Sequence, residues 1–405
     1  MKIKEIETIR PMTQPNLLFV LLRTDDGLTG LGEAFFGSQA VEAYVHETAA
    51  RELFNMPDAS PEAAAASLAP YLGYQGAGAE TRGNAAIDLA LWDLLGQRAG
   101  LPLFRLLGGP VRETLRVYNT CAGPGYVRKT AMQSSNNWGL NRLRGEEANY
   151  EDLQAFLTRP GWLARDLLDR GVTGMKIWPF DVAGELSRGT HISRADLARG
   201  LSIVESVRNE VGMDMDLMIE LHGLWNRPTA ARILDALSPY RPYWVEDPMR
   251  ADAVDGLGRL ANETAIPIAV GETSVGRRGA MPLLEAGALD VLTIDLQWTG
   301  GLTEARKVAA LADSYGIPIA PHDCTGPATL AACVHLSYSQ PNALIQETVR
   351  AFINTWYEEL VEGSPVVEGG AIAPSLEPGH GVKLKDLVLG RGISSRRVST
   401  SGDER

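Results

Sequence analysis

The sequence predicts an α/β chain in two parts, a small α+β domain over residues 1–112 and a parallel barrel of alternating strands and helices over residues 113–370. Three observations predict it. The length of 405 residues is too great for one small core but suits a small domain joined to a barrel of roughly 250 residues. Near Leu115 the pattern changes from strands and turns to short apolar runs separated by helical segments. Within that second part, three glutamates recur at equal spacing, each at the end of an apolar run.

The first part opens with strand-like segments carrying Ile3, Ile6 and Ile9, then Leu18 to Leu22, a turn at Asp25-Asp26-Gly27, and Leu28 to Glu33. This reads as an antiparallel meander. Helical patterns follow around residues 39–54 and 80–98, where Ala86, Leu89, Ala90, Asp93 and Leu94 repeat at three-to-four spacing. In the second part the expected strands are Leu115–Asn119, Gly174–Trp178, Leu217–Leu221, Tyr243–Glu246, Ile268–Gly271, Val291–Ile294, Ile317–Ala320 and Ala343–Gln346. Eight strands alternating with helices close as a parallel barrel. Residues 121–160 form an insertion too long for an ordinary strand-to-helix loop, and they read as a lid. The last segment, 371–405, ends in a polar, Ser/Arg-rich tail at 391–405 that is expected to be disordered.

Composition narrows the function. A net charge of −12 argues against nucleic acid, which calls for a basic face. No apolar run reaches the roughly 18 residues of a membrane span, and Met1-Lys2-Ile3-Lys4-Glu5 lacks the apolar core of a signal peptide. A cytoplasmic location is expected. Cys121, Cys324 and Cys333 cannot all pair and lack metal-ligand spacing, so they read as reduced thiols.

Glu220, Glu246 and Glu272 stand 26 residues apart, close to one barrel unit, which places their carboxylates along one rim. The rim at the strand C-termini is where barrel chemistry sits, and three carboxylates without cysteine suit a hard cation. Mg²⁺ is expected rather than Ca²⁺, because three carboxylates leave positions for water or substrate. Four further residues project into the same mouth: Lys176, His222, Asp295 and His322. His222 lies two residues beyond Glu220, so strand alternation turns it toward the metal. His322 lies one barrel unit after Asp295, whose carboxylate can orient the imidazole and raise its basicity. His46, His191, His335 and His380 are expected to be surface or satisfied core residues.

Several segments carry a resemblance: Ala90-Leu-Trp-Asp-Leu94, Leu101-Pro-Leu-Phe-Arg-Leu-Leu-Gly-Gly109, Glu246-Asp-Pro248, Gly271-Glu-Thr273, Asp295 and Pro321-His322. In this order and spacing they make the chain resemble the mandelate racemase subgroup of the enolase superfamily over nearly its whole length. The resemblance implies a modified TIM (β/α)7β barrel with an N-terminal α+β capping domain to which the C-terminus returns. It also implies Mg²⁺ on the three glutamates and a His-Asp dyad at His322 and Asp295. Many relatives carry Asp at the first metal position, where this chain has Glu220, and a second lysine where it has Trp178. The two-base racemase arrangement is thereby put in doubt. Lys176 and Trp178 are expected near the substrate. Glu347 matches the family's carboxyl group that hydrogen-bonds the substrate carboxylate, which would require it to be protonated, as burial among carboxylates favours.

One dyad and one separate histidine suit a one-base elimination with a distinct acid. The expected reaction is dehydration of a sugar acid, with His322 removing the proton next to the carboxylate and His222 protonating the departing hydroxyl. The Glu220-x-His222 and Pro321 to Cys333 segments look like those of acid-sugar dehydratases. An epimerase, racemase or cycloisomerase using the same enolate is the alternative, and a non-catalytic sugar-acid binder a more distant one. Mannonate dehydratases draw a base from Arg and Tyr in the corresponding loop, where this chain offers Arg142, Arg144, Tyr126 and Tyr150 without a clear assignment. The expected partners are a small sugar or hydroxy acid and further copies of the chain, with no nucleic acid and no membrane.

Overall fold

The computed structural model describes residues 1–69, 76, 78–129, 133–140, 150–390 and 392–402. The N-terminal meander forms as three antiparallel strands, β1 (Ile3–Pro11), β2 (Leu17–Thr24) and β3 (Thr29–Phe35). The sheet is buried on both faces. Along β2, Leu18, Val20 and Leu22 join a core shared with the domain's own helices, while Leu17, Phe19 and Leu21 join the large core continuous with the barrel. An unbroken apolar run is what two buried faces require. A register shift between Ile3 and Glu5 turns Ile3 and Ile6 to one face, and Ile9 faces the other.

The helix Ala79–Ala99 lies against β3 at a distance only glycine permits, since a Cβ at Gly32 would overlap the Ala86 carbonyl. The same helix fastens the two parts of the chain. Asp88 accepts from the Thr303 N–H at 2.9 Å, Trp92 donates to the Thr303 hydroxyl at 2.9 Å, and Asp93 accepts from the N–H groups of Leu31 and His380 at 3.0 and 3.1 Å.

The tail departs from its expected disorder. Ser394–Thr400 is a strand paired antiparallel to β1 from Pro11↔Ser394 to Glu5↔Thr400. It covers an otherwise open edge, and its polar side chains suit an edge position. Composition alone reads such a strand as solvated chain. His46 joins the two strands, with one ring nitrogen 2.8 Å from the Thr8 hydroxyl and the other 2.8 Å from that of Ser399.

The barrel strands are β4 (Leu115–Thr120), β5 (Gly174–Ile177), β6 (Asp216–Glu220), β7 (Trp244–Glu246), β8 (Ile268–Val270), β9 (Val291–Leu292) and β10 (Gln346–Thr348). β4 to β9 pair in parallel succession and β10 pairs with β4. The expected strand at 317–320 is reduced to single bridges, Leu292↔Ile319 and Ile319↔Ala343, which span the gap to β10. Pro318 has no N–H to donate, which limits pairing there. A two-residue strand, Ala371–Ile372, adds antiparallel to β4 and makes the sheet mixed. Tyr118, Met218, Trp244, Ala269, Val291, Ala320 and Ile345 fill the barrel interior.

Pro327–Ser339, the helix following His322, is buried at every residue. Glu33 of β3 receives the Ala328 and Thr329 N–H groups at 3.1 and 2.7 Å at its start. His335 and His380 are satisfied core residues: His335 accepts from the Phe104 N–H at 3.1 Å, and His380 sits 2.8 Å from the Leu31 carbonyl. Among the described residues no helix is long and apolar enough to cross a membrane.

Candidate active site

The three glutamates converge as their spacing predicts. Glu220 ends β6, Glu246 ends β7 and is paired with it in register, and Glu272 follows β8 by two residues. One carboxylate oxygen from each lies within 4.8 Å of the others, and all three residues are buried. The Glu220 Oε2 atom is buried without a hydrogen bond, with the Lys176 Nζ 3.4 Å away. Buried carboxylates this close repel one another, and burial with the neighbouring charges pushes Glu246 up to about 8. A hard divalent cation fits this set of three converging oxygen donors, because it offsets their mutual repulsion.

Lys176, on β5, is buried among carboxylates. Its Nζ lies 2.9 Å from Glu246, 3.0 Å from Glu347 and 3.4 Å from Glu220. Burial disfavours its charge, but these neighbours outweigh that and hold its pKa well above the usual lysine range. Glu347, on β10, also accepts from the Thr120 hydroxyl and from the Asp323 N–H at 3.0 Å. The expectation of a protonated Glu347 is not met in this arrangement. Burial raises its pKa, but the charge of Lys176 above all overcomes it and lowers the carboxyl to about 2. Sequence reasoning counted the carboxylates around Glu347 and did not place the ammonium among them.

Asp295 and His322 form the dyad, with Oδ2 2.7 Å from Nδ1. The other ring nitrogen lies 3.2 Å from the Glu272 carboxylate. The second Asp295 oxygen accepts from the Trp298 N–H at 2.8 Å, which locks the carboxylate, and the Trp298 ring lies 5.3 Å from the imidazole, centroid to centroid.

His222 stands at the opposite side of the triad. Its N–H donates to Glu220 Oε1 at 2.6 Å, and its Nδ1 lies 2.7 Å from Asp181 Oδ2. Strand alternation does not orient it, because β6 ends at Glu220 and His222 has a φ of 49°. A left-handed turn and Asp181 set the ring instead. Burial lowers the imidazole pKa, yet Asp181 and Glu220 raise it to about 10. Trp178 is buried, with its ring 5.9 Å from that of His222 and packed against Tyr126 and Phe156.

Two connected hollows lie here. A throat of about 30 Å³ is lined by Lys176, Trp178, Glu220, His222, His322 and Glu347. A mouth of about 790 Å³ opens above it, walled by Phe36 and Arg82 of the N-terminal domain and by Tyr126, Gln133 and Trp138 of the 121–160 insertion. The Asn16 side chain, in the loop between β1 and β2, donates to the Val127 carbonyl at 2.5 Å, so that loop and the insertion touch. Arg142 and Arg144 lie outside the described residues. Tyr126 faces the throat, while nothing draws Tyr150 to it.

Asp181, Trp298 and Arg82 escaped the sequence reading. The signal for Asp181 was an acid opening a helix just after the second barrel strand. Trp298, three residues beyond Asp295, begins to cover the dyad within one helical turn.

Residues 162–388 match the enolase C-terminal domain-like family model, and residues 6–108 match that of the mandelate racemase/muconate lactonizing enzyme N-terminal domain. The chain belongs to the mandelate racemase subgroup of the enolase superfamily. Among solved members of this subgroup, an enolase from Agrobacterium tumefaciens superimposes with a TM-score of 0.87 at 41% identity, covering 99% of this chain and all of that one. An enolase from Sargasso Sea environmental sequence does so at 0.86 and 38%, covering 98% and 99%. Proteins named D-galactonate dehydratase are similar along the whole chain. That of Ralstonia nicotianae is 31% identical over 98% of this chain and 95% of its own length, and that of Cronobacter sakazakii 30% over 95% and 93%. Membership of the superfamily accounts for the resemblance in the quoted motifs, and the observed capping domain and barrel are its fold.

Proposed function

We propose that this protein is a Mg²⁺-dependent acid-sugar dehydratase that converts a sugar acid to a 2-keto-3-deoxy acid and water. The observation that carries the reading is the presence of two imidazoles flanking one carboxylate triad, each with Nδ1 2.7 Å from an aspartate of its own. Similarity to D-galactonate dehydratases over nearly the full length supports the reaction class.

Glu220, Glu246 and Glu272 would hold the metal, which when bound supplies positive charge for the substrate carboxylate and its enediolate. Lys176 and Glu347 sit at the floor, where Lys176 adds positive charge next to that carboxylate. His322, steered by Asp295, takes the C2 proton. His222, steered by Asp181, gives a proton to the 3-hydroxyl as the C3–O bond breaks. Water leaves, and the enol tautomerises to the ketone. Trp178, Trp298 and Phe36 line the throat beside the two imidazoles. A racemase would need a second base across the substrate, and the two features that speak against it are Trp178 in that position and Lys176 committed to three carboxylates.

Screening four- to six-carbon sugar acids with Mg²⁺ for 2-keto-3-deoxy product tests the reading. At least one acid should be dehydrated, and the product should vanish with EDTA. Exchange of the C2 proton with solvent across the panel, without loss of water from any acid, would overturn dehydration in favour of racemisation or epimerisation.

A further inference from the structure

The mouth of the cavity carries the cation Arg82, which feels the charges of Asp295 and Glu80 but makes no ion pair among the described residues. Arg82, from the first turn of Ala79–Ala99, has one hydrogen bond, from Nη1 to the Phe36 carbonyl at 3.2 Å. Its Nε is buried and has no partner, and among the described residues no carboxylate pairs with it. The guanidinium carbon lies 5.5 Å from the Trp298 ring centroid and 5.9 Å from that of Phe36. Phe36, whose carbonyl accepts from Arg82, and the following Gly37 both take positive φ, 68° and 65°. A half-buried guanidinium whose buried Nε–H has no partner is costly unless a ligand engages it, and its planar fork matches a carboxylate.

The floor of the site already provides for one carboxylate, at the triad and Lys176. Arg82 lines the mouth and packs on Trp298, whose ring in turn lies against His322. Resting on the dehydratase reading, we propose that Arg82 binds a second carboxylate, so that the substrate is a sugar diacid with one carboxylate at the floor and the other at the capping domain. A monoacid sugar would leave the guanidinium facing only a hydroxyl, which offers no charge to it.

The test compares six-carbon sugar diacids with the matching monoacids, using the Mg²⁺-loaded full chain and its Arg82→Gln and Arg82→Lys variants. The native protein should favour a diacid in kcat/KM by 10-fold or more. Arg82→Gln should erase most of that preference through KM, by roughly 10- to 100-fold, and Arg82→Lys should keep part of it. Thermal melting confirms that the variants fold. Preference for monoacids, or a proportional loss for both classes in Arg82→Gln, would overturn the assignment and leave Arg82 as a packing residue. If no acid is dehydrated, the dehydratase reading fails by itself. Calorimetric titration of the same diacids and monoacids then decides Arg82, which requires tighter diacid binding that Arg82→Gln abolishes.

Discussion

Asp181 and Asp295 do the same work for different imidazoles, since each holds the Nδ1 of its own histidine at 2.7 Å. The two histidines should therefore fail differently. His322→Asn removes the base and should lower dehydration by at least about 10³-fold, with no C2 exchange remaining. Asp181→Asn should lower kcat by roughly 10- to 100-fold with little change in KM, because it disturbs the acid and not the floor that binds the carboxylate. Steady-state kinetics on one accepted sugar acid checks both, and a KM effect without a kcat effect would reassign Asp181 to binding. At this scale the sequence was most legible where residues share a register: the triad and the dyad each repeat with one barrel unit. Asp181 follows a turn at Pro179-Phe180, and Arg82 reaches the cavity from another domain, so neither position is encoded in a strand period.

Among the elements, the β3 contact with Ala79–Ala99 and the C-terminal edge strand make separate demands. Gly32→Ala forces a methyl group into the Ala86 carbonyl and should destabilise the protein by about 3 kcal/mol, measured by urea unfolding. The edge strand should respond to pH through His46. Burial, aided by the charge of Arg397, lowers its pKa to about 4 from the ordinary 6.5. The unfolded chain therefore takes up a proton that the native imidazole refuses. The His46 contribution is complete above about pH 6.5 and is lost as pH falls from there toward 4. Hydrogen exchange across Ser394–Thr400 should accelerate over that window relative to a His46→Gln control; equal acceleration in both would show that His46 is not responsible. The meander, the long helix and most barrel strands were readable from apolar pattern. The C-terminal strand was not, because polar residues on a sheet edge have the composition of a solvated tail, and the pairing partner lies almost four hundred residues away in sequence.

For the whole molecule, the floor of the site comes from the barrel and part of its roof from the capping domain. Glu33, Asp88, Trp92 and Asp93 hold that roof in place through bonds to barrel segments and the C-terminal region. Glu220, Glu246 and Glu272 bring buried carboxylate oxygens within 4.8 Å of one another, so Mg²⁺ bound there should stabilise the entire fold by mass action. At 100 times the dissociation constant the gain is about 2.7 kcal/mol. Melting with Mg²⁺ and with EDTA should show an upward shift that Glu246→Gln removes, while a shift of equal size in that variant would place the ion elsewhere. In the proposed mechanism one histidine takes the C2 proton and a different one releases the hydroxyl. Following an accepted sugar acid in D₂O with the His222→Asn variant by proton NMR separates the two roles. The C2 proton should continue to exchange for deuterium while formation of the 2-keto-3-deoxy acid falls by at least about 10²-fold. Product formation at the native rate in that variant would contradict the mechanism.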